Sequence, residues 1–268
     1  MPKGSVMVTV VANEPINLQH IKYLGGIADT GAAKFVNETG NGLDIIQGPI
    51  EFVFTGYGFQ YIYGFPIGGT VTGLNILHNG ALAYGFTNFS ASVQELESLF
   101  QSQNVSLALH TLLAGNNHIT GSNGSDVLIG YGRSDYLDGR GGNDLIIAGK
   151  GIDTLVGGTG HNTLTAGSGP DHFVFHTNPS REEDSINGFK VNSDKIILSH
   201  NVFTMLPIGH LAPSHFVEGA PGDATACIVY DQATRDLSYY AHGDAGAGVH
   251  FATLTNEAAL THANIIVA

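Results

Sequence analysis

The chain has little cysteine, little positive charge and no long apolar run. Its one cysteine, Cys227, rules out a disulfide within the chain, so stability must come from another source. Ten basic residues stand against 23 acidic ones, giving a net charge of −13, and no basic patch is available for nucleic acid or an anionic membrane surface. No apolar stretch approaches the ~20 residues that a transmembrane helix needs. We therefore expect neither nucleic-acid binding nor membrane insertion.

Recognised catalytic patterns are also missing. The sequence has no HExxH helix motif for zinc and no GxSxG nucleophile elbow. The 13 histidines are scattered, and Cys227 lies in an apolar segment without an evident base. These absences favour a protein that is not an enzyme. A small hydrolase or epimerase with its site in the amino-terminal region stays open as the alternative.

What the chain does have is a repeat. Seven nonapeptides run without a break from Leu112 to Val174. Position six of each repeat is Asn117, Asp126, Asp135, Asp144, Asp153, Asn162 or Asp171. Position eight is Ile119, Leu128, Leu137, Ile146, Leu155, Leu164 or Phe173. A fixed short period of this kind predicts a solenoid with one coil for each pair of repeats.

The composition of each repeat indicates a metal site. Its first six residues are rich in glycine, which turns tightly and lets backbone carbonyls point at one spot, and they end in a carboxylate or amide. Hard oxygen ligands without thiolate suit Ca²⁺. The last three residues place one apolar side chain inward, as a short strand does. A glycine-rich linker or a calcium-free solenoid is the alternative, but a linker would not keep the apolar register.

The period also predicts which ligands meet. Turns on the same side of the solenoid are 18 residues apart in sequence, and stacked strands are ~4.8 Å apart. One side therefore stacks Asn117, Asp135, Asp153 and Asp171, and the other stacks Asp126, Asp144 and Asn162. We expect the strongest calcium sites at the pairs 135/153, 153/171 and 126/144. Sites that use an asparagine carry one charge fewer and should be weaker or empty.

The repeat resembles GGxGxDxUx, the calcium-binding nonapeptide of the RTX (repeats-in-toxin) family. That resemblance implies a right-handed parallel β-roll holding several Ca²⁺ ions, with carbonyls at repeat positions one and three assisting the aspartates. Carried to this chain, those carbonyls belong to Gly121, Asn123, Gly130, Gly132, Gly139, Gly141, Ala148, Lys150, Ala166 and Ser168. Tyr131 and Arg140 at position two, and Arg133 at position four, depart from the glycine pattern.

The segments on either side of the repeats predict two further β units. Residues 1–111 are predicted to form a β-rich leader domain. Its last part is predicted to form two short helices, Ser92–Gln101 and Val105–Leu113, and the second helix is expected to cap the roll. Residues 175–268 read as a β cap. The cap contains D-x-I-x-x-F and D-K-I-x-L segments and a predicted hairpin around QATRD, and it resembles the carboxy-terminal region of serralysin-type proteins.

Together these features predict a mostly all-β protein with a leader at 1–111, a calcium-binding roll at 112–174 and a cap at 175–268. The resemblance implies an extracellular protein exported by type I secretion, with its roll folding on Ca²⁺ outside the cell. The aromatic stripe Tyr57, Phe59, Tyr61, Tyr63 and Phe65 is best explained by ordinary core packing of a strand, with binding of a polysaccharide or host-surface partner by the leader as the alternative. Pore formation is disfavoured, because no segment is long and apolar enough.

Overall fold

The fold is described by a computed structural model. It covers residues 8–12, 34–39, 42–47, 50–62, 65–78, 81–92, 113–178, 183–219, 227–242 and 248–268. Within these ranges the protein is β-structured and has no α-helix; its only helical turns are of 3₁₀ type, at Pro213–His215 and His262–Asn264. The two helices predicted at Ser92–Gln101 and Val105–Leu113 fall almost wholly outside the described residues. None of the described helices is long and apolar enough to cross a membrane.

Six strands precede the repeats within the described residues. They are β1 (Val8–Ala12), β2 (Lys34–Thr39), β3 (Gly42–Gln47), β4 (Ile50–Ile62), β5 (Phe65–His78) and β6 (Ala81–Ser92). β2 to β6 form an antiparallel meander, and β1 pairs antiparallel with β6. Side chains of alternate residues on β4 and β5 enter a core that includes Phe54, Leu74 and Ile76, as expected where one face of a sheet is covered.

The repeats form the predicted β-roll. Its strands are β7 (Asn117–Thr120), β8 (Val127–Ile129), β9 (Tyr136–Asp138), β10 (Leu145–Ile147), β11 (Thr154–Val156), β12 (Thr163–Thr165) and β13 (His172–Phe175). Odd-numbered strands pair in parallel in one sheet and even-numbered strands in the other, each with the strand 18 residues away. Every position-eight side chain is fully buried between the two sheets. The inward apolar residue of each repeat therefore fixes the register.

The roll continues past the repeats into the carboxy-terminal region. The strands there are β14 (Asp184–Asn187), β15 (Lys195–Leu198), β16 (Gly209–His210), β17 (Phe216–Glu218), β18 (Cys227–Asp231), β19 (Asp236–Tyr240), β20 (Val249–Leu254) and β21 (Ile265–Val267). β14 stacks on β12 and β15 on β13, both in parallel, and β20 and β21 then extend the two sheets by one more strand each. The predicted hairpin is confirmed, since β18 and β19 pair antiparallel around residues 232–235.

The leader and the roll share a sheet. β1 lies between β6 and β7, antiparallel to the first and parallel to the second, with Val10 opposite Ile119. This pairing satisfies the backbone groups that the first roll strand would otherwise leave open at its edge. The result is one 13-stranded sheet running from the leader through the roll to β16, and one 8-stranded sheet running from β8 to β17.

Candidate metal centre

The position-six side chains lie inside the turns, although most of them are carboxylates. All seven, from Asn117 to Asp171, are at most 3% exposed, and Asp153 and Asp171 are fully buried. From the second repeat onward, each directly precedes its strand, so the strand register holds it in place. Burying several carboxylates in a row is unfavourable unless hydrogen bonds or cations compensate the charge. The surroundings of each carboxylate therefore decide what the turns can bind.

One carboxylate oxygen is used in a ladder along the roll. The backbone N–H of each position-six residue donates to Oδ1 of the position-six side chain one coil later. The N···O distance runs from 2.6 Å for Asn117 to Asp135 up to 3.2 Å for Asp153 to Asp171. The remaining donor and acceptor pairs are Asp126–Asp144, Asp135–Asp153, Asp144–Asn162, Asn162–Asp184 and Asp171–Asp194. Residues 18 apart thus meet within the array, as the period predicts.

Two members of this ladder were not among the predicted site residues. Asp184 and Asp194 are 5% and 0% exposed and accept the N–H groups of Asn162 and Asp171. They occupy position six of two further turns, one on each side of the roll. Ile186 pairs with Leu164, and Ile196 with Phe173, at position eight. The sequence signal was present in the D-x-I and D-K-I segments. However, Asp184 and Asp194 follow Asn162 and Asp171 by 22 and 23 residues, so they fall outside the nine-residue period.

The second carboxylate oxygen, Oδ2, divides six of the seven aspartates of the ladder into two groups. In Asp126, Asp171 and Asp194 it accepts the N–H of the position-two residue of the same repeat, at 2.7, 2.9 and 2.8 Å. In the three aspartates between the first two of these, Oδ2 is buried and has no hydrogen-bond partner. These three are Asp135, Asp144 and Asp153. A buried carboxylate oxygen without a partner is costly, so its presence calls for a cation or a proton.

The backbone conformation at position two separates the same groups. Tyr131, Arg140 and Gly149 precede the three unpaired aspartates and have positive φ values of 67°, 67° and 104°. Ser122 and Gly167, whose N–H groups bind Asp126 and Asp171, do not. The left-handed conformation costs about 1–2 kcal/mol for a residue with a Cβ. Tyr131 and Arg140 therefore hold a strained conformation at the turns where Oδ2 has no partner.

Backbone carbonyls converge on the same points. A Cβ placed on Gly130 would lie closer than 3.0 Å to both Asp135 Oδ2 and the carbonyl oxygen of Ala148 in the next coil. The same holds at Gly139 for Asp144 Oδ2 and the Gly157 carbonyl, and at Gly121 for Asp126 Oδ2 and the Gly139 carbonyl. The absence of a side chain at these glycines lets a carboxylate oxygen and a carbonyl oxygen lie close together, as oxygen ligands of a hard cation such as Ca²⁺ do.

The predicted carbonyl ligands divide by repeat position. Those at position one include Gly139 and Ala148, which the structure places beside Asp126 and Asp135, and the same geometry adds Gly157, which was not predicted. Position-three residues instead pair from coil to coil. Gly141 bridges to Thr159 and Lys150 to Ser168, and the Ser168 carbonyl accepts the N–H of Gly151 at 2.9 Å. Position-one carbonyls also take part in hydrogen bonds, since that of Gly139 accepts the N–H of Gly141 at 3.1 Å, so only their closeness to the carboxylates sets them apart.

The two asparagines supply N–H groups to neighbouring carboxylates. Asn117 Nδ2 donates to Asp135 Oδ1 at 2.8 Å, and Asn162 Nδ2 donates to Asp184 Oδ1 at 2.9 Å. At Gly130 and Gly139 two oxygens lie beside the glycine. At Gly157 the neighbours are one nitrogen, Asn162 Nδ2, and one oxygen, Asp184 Oδ2. An amide N–H here does part of what a cation does elsewhere, while Asn117 Oδ1 is itself buried without a hydrogen-bond partner.

Burial sets the electrostatics of the unpaired group. It raises the pKa of Asp135 to about 8, that of Asp144 to about 7 and that of Asp153 to about 6. Neighbouring carboxylates raise these pKa values further, while the backbone N–H groups of the ladder lower them. Near neutral pH, the metal-free turns would therefore hold protons or uncompensated charge, and a divalent cation would relieve both.

A second ladder runs along position five, in the opposite direction. The side-chain oxygens of Asn116 and Ser134 accept the N–H groups of Ser134 and Ile152 at 3.3 Å each. On the other side, Ser125 and Asn143 accept the N–H groups of Asn143 and His161, at 3.2 and 3.0 Å. This ladder was not predicted, and its signal is the run of serine and asparagine at position five of the first four repeats.

Other candidate sites gain nothing from the structure. In the described ranges, no group of three or more His, Cys, Asp and Glu side chains is arranged to hold a metal ion. Asp231 accepts the N–H groups of Ala233 and Thr234 and so acts as a turn residue. Cys227 is buried in β18. In the aromatic stripe only the Tyr57 side chain is described, and it is 59% exposed.

The comparison with protein families agrees with this geometry. The model of the RTX calcium-binding nonapeptide repeat, in four copies, matches residues 113–146 and 138–173. No curated protein matches the chain. The matched residues are those of the roll, and they indicate a calcium-binding protein of RTX type.

Proposed function

We propose that this chain is a secreted calcium-binding protein whose roll folds when Ca²⁺ binds outside the cell. The observation that carries the proposal is the trio of buried Oδ2 atoms without a partner, on Asp135, Asp144 and Asp153. Each lies in a turn that is otherwise complete, with Oδ1 bound in the ladder. For Asp135 and Asp144, a carbonyl oxygen from the next coil also lies close to Oδ2.

Calcium would couple binding to folding at these turns. An empty roll must bury carboxylates whose partners are missing, and stacked carboxylates on each side repel one another. A bound divalent cation removes both costs, so its binding free energy becomes folding free energy. The apolar core at position eight favours the same coils but leaves the turns uncompensated. The metal-free roll is therefore expected to be only partly ordered near neutral pH.

The proposed ligands follow from the ladder and from position one. The aspartates are Asp126, Asp135, Asp144, Asp153 and Asp171, in the pairs 135/153, 153/171 and 126/144. The carbonyls with most support are those of Gly139, Ala148 and Gly157, since they lie beside a carboxylate. Sites at Asn117 and Asn162 are proposed to be weak or empty, because an amide N–H already binds the neighbouring carboxylate.

Secretion fits the same chemistry. With one cysteine, the chain cannot use an internal disulfide for stability in an oxidising medium. Extracellular calcium modules typically bind with dissociation constants of ~10⁻⁴–10⁻³ M, so the sites would be empty in a cytosol and filled outside. Export by a type I route, in which the chain crosses unfolded and folds on arrival, is the pathway that this arrangement suits. Secretion assays in a host with and without such an exporter test this part.

Metal content tests the binding itself. We expect the purified protein, dialysed against millimolar Ca²⁺, to carry several Ca²⁺ ions in native mass spectrometry. The triple variant Asp135→Asn, Asp144→Asn, Asp153→Asn should lose most of them, since an amide supplies N–H where the site needs oxygen charge. The matched control is Asp231→Asn in the β18–β19 turn, which should keep the wild-type number. A wild-type protein without bound calcium would refute the proposal.

We further propose a division into a leader (1–111), the repeat-built part of the roll (112–174) and a cap (175–268) whose strands continue the two sheets of the roll. We also propose that the leader binds a glycan partner, and the exposed ring of Tyr57 is the observation that favours this. Retention on a glycan array that is lost in Tyr57→Ala would support the partner role. Retention unchanged by that substitution would remove its basis.

A further inference from the structure

On the side of the roll that holds Asp135 and Asp153, the last two position-six carboxylates accept hydrogen bonds from other groups of the protein. Asp171 and Asp194 are both fully buried and adjacent in the ladder. Their Oδ2 atoms accept the N–H groups of Gly167 and Lys190, at 2.9 and 2.8 Å. Asp194 Oδ1 also accepts the Ser193 hydroxyl at 2.9 Å. Two stacked carboxylates nevertheless carry two negative charges, and neutral donors alone do not cancel them.

A lysine side chain supplies positive charge at this place. Lys190 Nζ donates to the carbonyl oxygen of Gly167 in the preceding coil. Gly167 is the residue whose N–H binds Asp171, so the ammonium sits on the same turn as that carboxylate. The charge of Lys190 also lowers the pKa of Asp171, against the larger raising effect of burial.

Lys190 occupies position two of its repeat, and the residue type at this position changes from coil to coil on this side of the roll. Counted from position six, it is the position-two residue of its coil, like Tyr131, Gly149 and Gly167. Tyr131 and Gly149 precede aspartates whose Oδ2 has no partner. The coil of Lys190 is the last one with a position-six carboxylate on this side: β21 stacks next, and Ala263 lies where the ladder would continue. An exposed lysine thus stands at the end of the acidic column, and its charge acts on Asp171 and Asp194 from more than 4 Å away, since it forms no ion pair with either.

We propose that the Lys190 ammonium replaces a calcium ion at the Asp171–Asp194 pair, so that this coil folds without metal while the middle coils require it. The inference rests on the proposed calcium function and specifies which end of the roll is independent of calcium. Its consequence is that removal of Lys190 exposes a latent calcium requirement at this coil.

Hydrogen exchange with and without calcium tests this on the full chain. In EDTA, amides of β15, the strand that follows Asp194, should be protected in the wild type. In Lys190→Gln they should lose up to about fivefold of that protection, the effect expected when an exposed positive charge near a carboxylate is removed. Millimolar Ca²⁺ should restore protection in Lys190→Gln, and native mass spectrometry should then show one more bound ion than in the wild type.

Two matched variants keep the test specific. Lys190→Arg retains the positive charge and should behave as the wild type in EDTA. Lys195→Gln removes the neighbouring lysine, whose Nζ binds the Ala263 carbonyl at 3.1 Å, and should add no calcium requirement. Unchanged protection of Lys190→Gln in EDTA, or a loss that calcium does not repair, would overturn the inference. Absence of calcium from the wild type would refute the proposed function and this inference with it, whereas bound calcium in the wild type without the gain in Lys190→Gln refutes this inference alone.

Discussion

The middle and the ends of the roll solve the same problem in different ways. At Asp135, Asp144 and Asp153 the turn leaves one buried carboxylate oxygen open. At Asp126, Asp171 and Asp194 a backbone N–H closes that oxygen, and Lys190 adds positive charge at the carboxy-terminal end. Since parallel strands and a fully buried apolar residue at position eight occur in both regions, the difference that matters for calcium lies in the turns. One fold can therefore be stabilised by metal in its centre and by its own donors at its margins.

The largest effect should come from the aspartate that has no substitute. Asp153→Ala removes a carboxylate whose Oδ2 has no hydrogen-bond partner. This carboxylate stacks with Asp135 on one side and Asp171 on the other. Asp126→Ala removes a carboxylate already bound by Ser122. We expect Asp153→Ala to lower calcium affinity about tenfold or more, and more than Asp126→Ala does, in isothermal titration calorimetry. Equal losses would contradict both the 18-residue pairing and the distinction between centre and ends.

Gly130, which lies beside Asp135 Oδ2 and the Ala148 carbonyl, offers a test that removes no charge. Gly130→Ala would place a methyl group closer than 3.0 Å to Asp135 Oδ2 and the Ala148 carbonyl, so it should lower calcium affinity. Gly132→Ala is its control, because a Cβ at Gly132 meets nothing within 4 Å. Neither residue has positive φ, so backbone strain does not confound the comparison. If both variants bind calcium as well as the wild type does, the space beside Gly130 is not a metal site.

Acidification should partly replace calcium. In the folded, metal-free roll, burial raises the pKa values of Asp135, Asp144 and Asp153 to about 8, 7 and 6, against about 3.9 in an unfolded chain. The folded state therefore binds more protons between pH ~4 and ~8, and its stability rises as pH falls through that window. In EDTA, the urea midpoint should be higher at pH 5 than at pH 8. A midpoint that falls on acidification would contradict the buried, uncompensated carboxylates.

The smallest effect concerns strain at position two. Arg140 has a φ of 67°, so Arg140→Gly should relieve about 1 kcal/mol and raise the free energy of unfolding of the calcium-loaded roll. Lys150, at position three with no positive φ, provides the opposite control. Lys150→Gly should lower stability through the greater freedom of the unfolded chain. Chemical denaturation of both variants measures the difference, and a loss of stability in Arg140→Gly would count against the strain.

The sequence predicted the roll well because its rules are local and repetitive. An apolar residue at position eight and a nine-residue period suffice for Leu137 to pair with Leu155, as observed. The period did not reveal Asp184 and Asp194, because a longer connection restores the register only in three dimensions. It also could not separate Asp126 from Asp135. That difference depends on whether a position-two N–H reaches the carboxylate, which is a backbone property that residue type alone does not fix.

Lys190 shows the same limit from another side. In the sequence it is an ordinary lysine in a cap segment, and only the stacking of its coil brings its ammonium to the Gly167 carbonyl. The position-five ladder is similar: serine and asparagine are common in turns, and their role appears once stacking brings Ser134 under Ile152. Repeated features were thus predictable, while features that depend on contacts between coils were not.

Circular dichroism of the calcium-stripped protein during titration with Ca²⁺ tests the central claim most directly, with Mg²⁺ as the control. A gain of β signal at ~10⁻⁴–10⁻³ M Ca²⁺, reversed by chelator and absent with Mg²⁺, is the predicted result. A protein whose full β signal persists in chelator at neutral pH, with no metal found on analysis, would contradict the claim that calcium folds the roll.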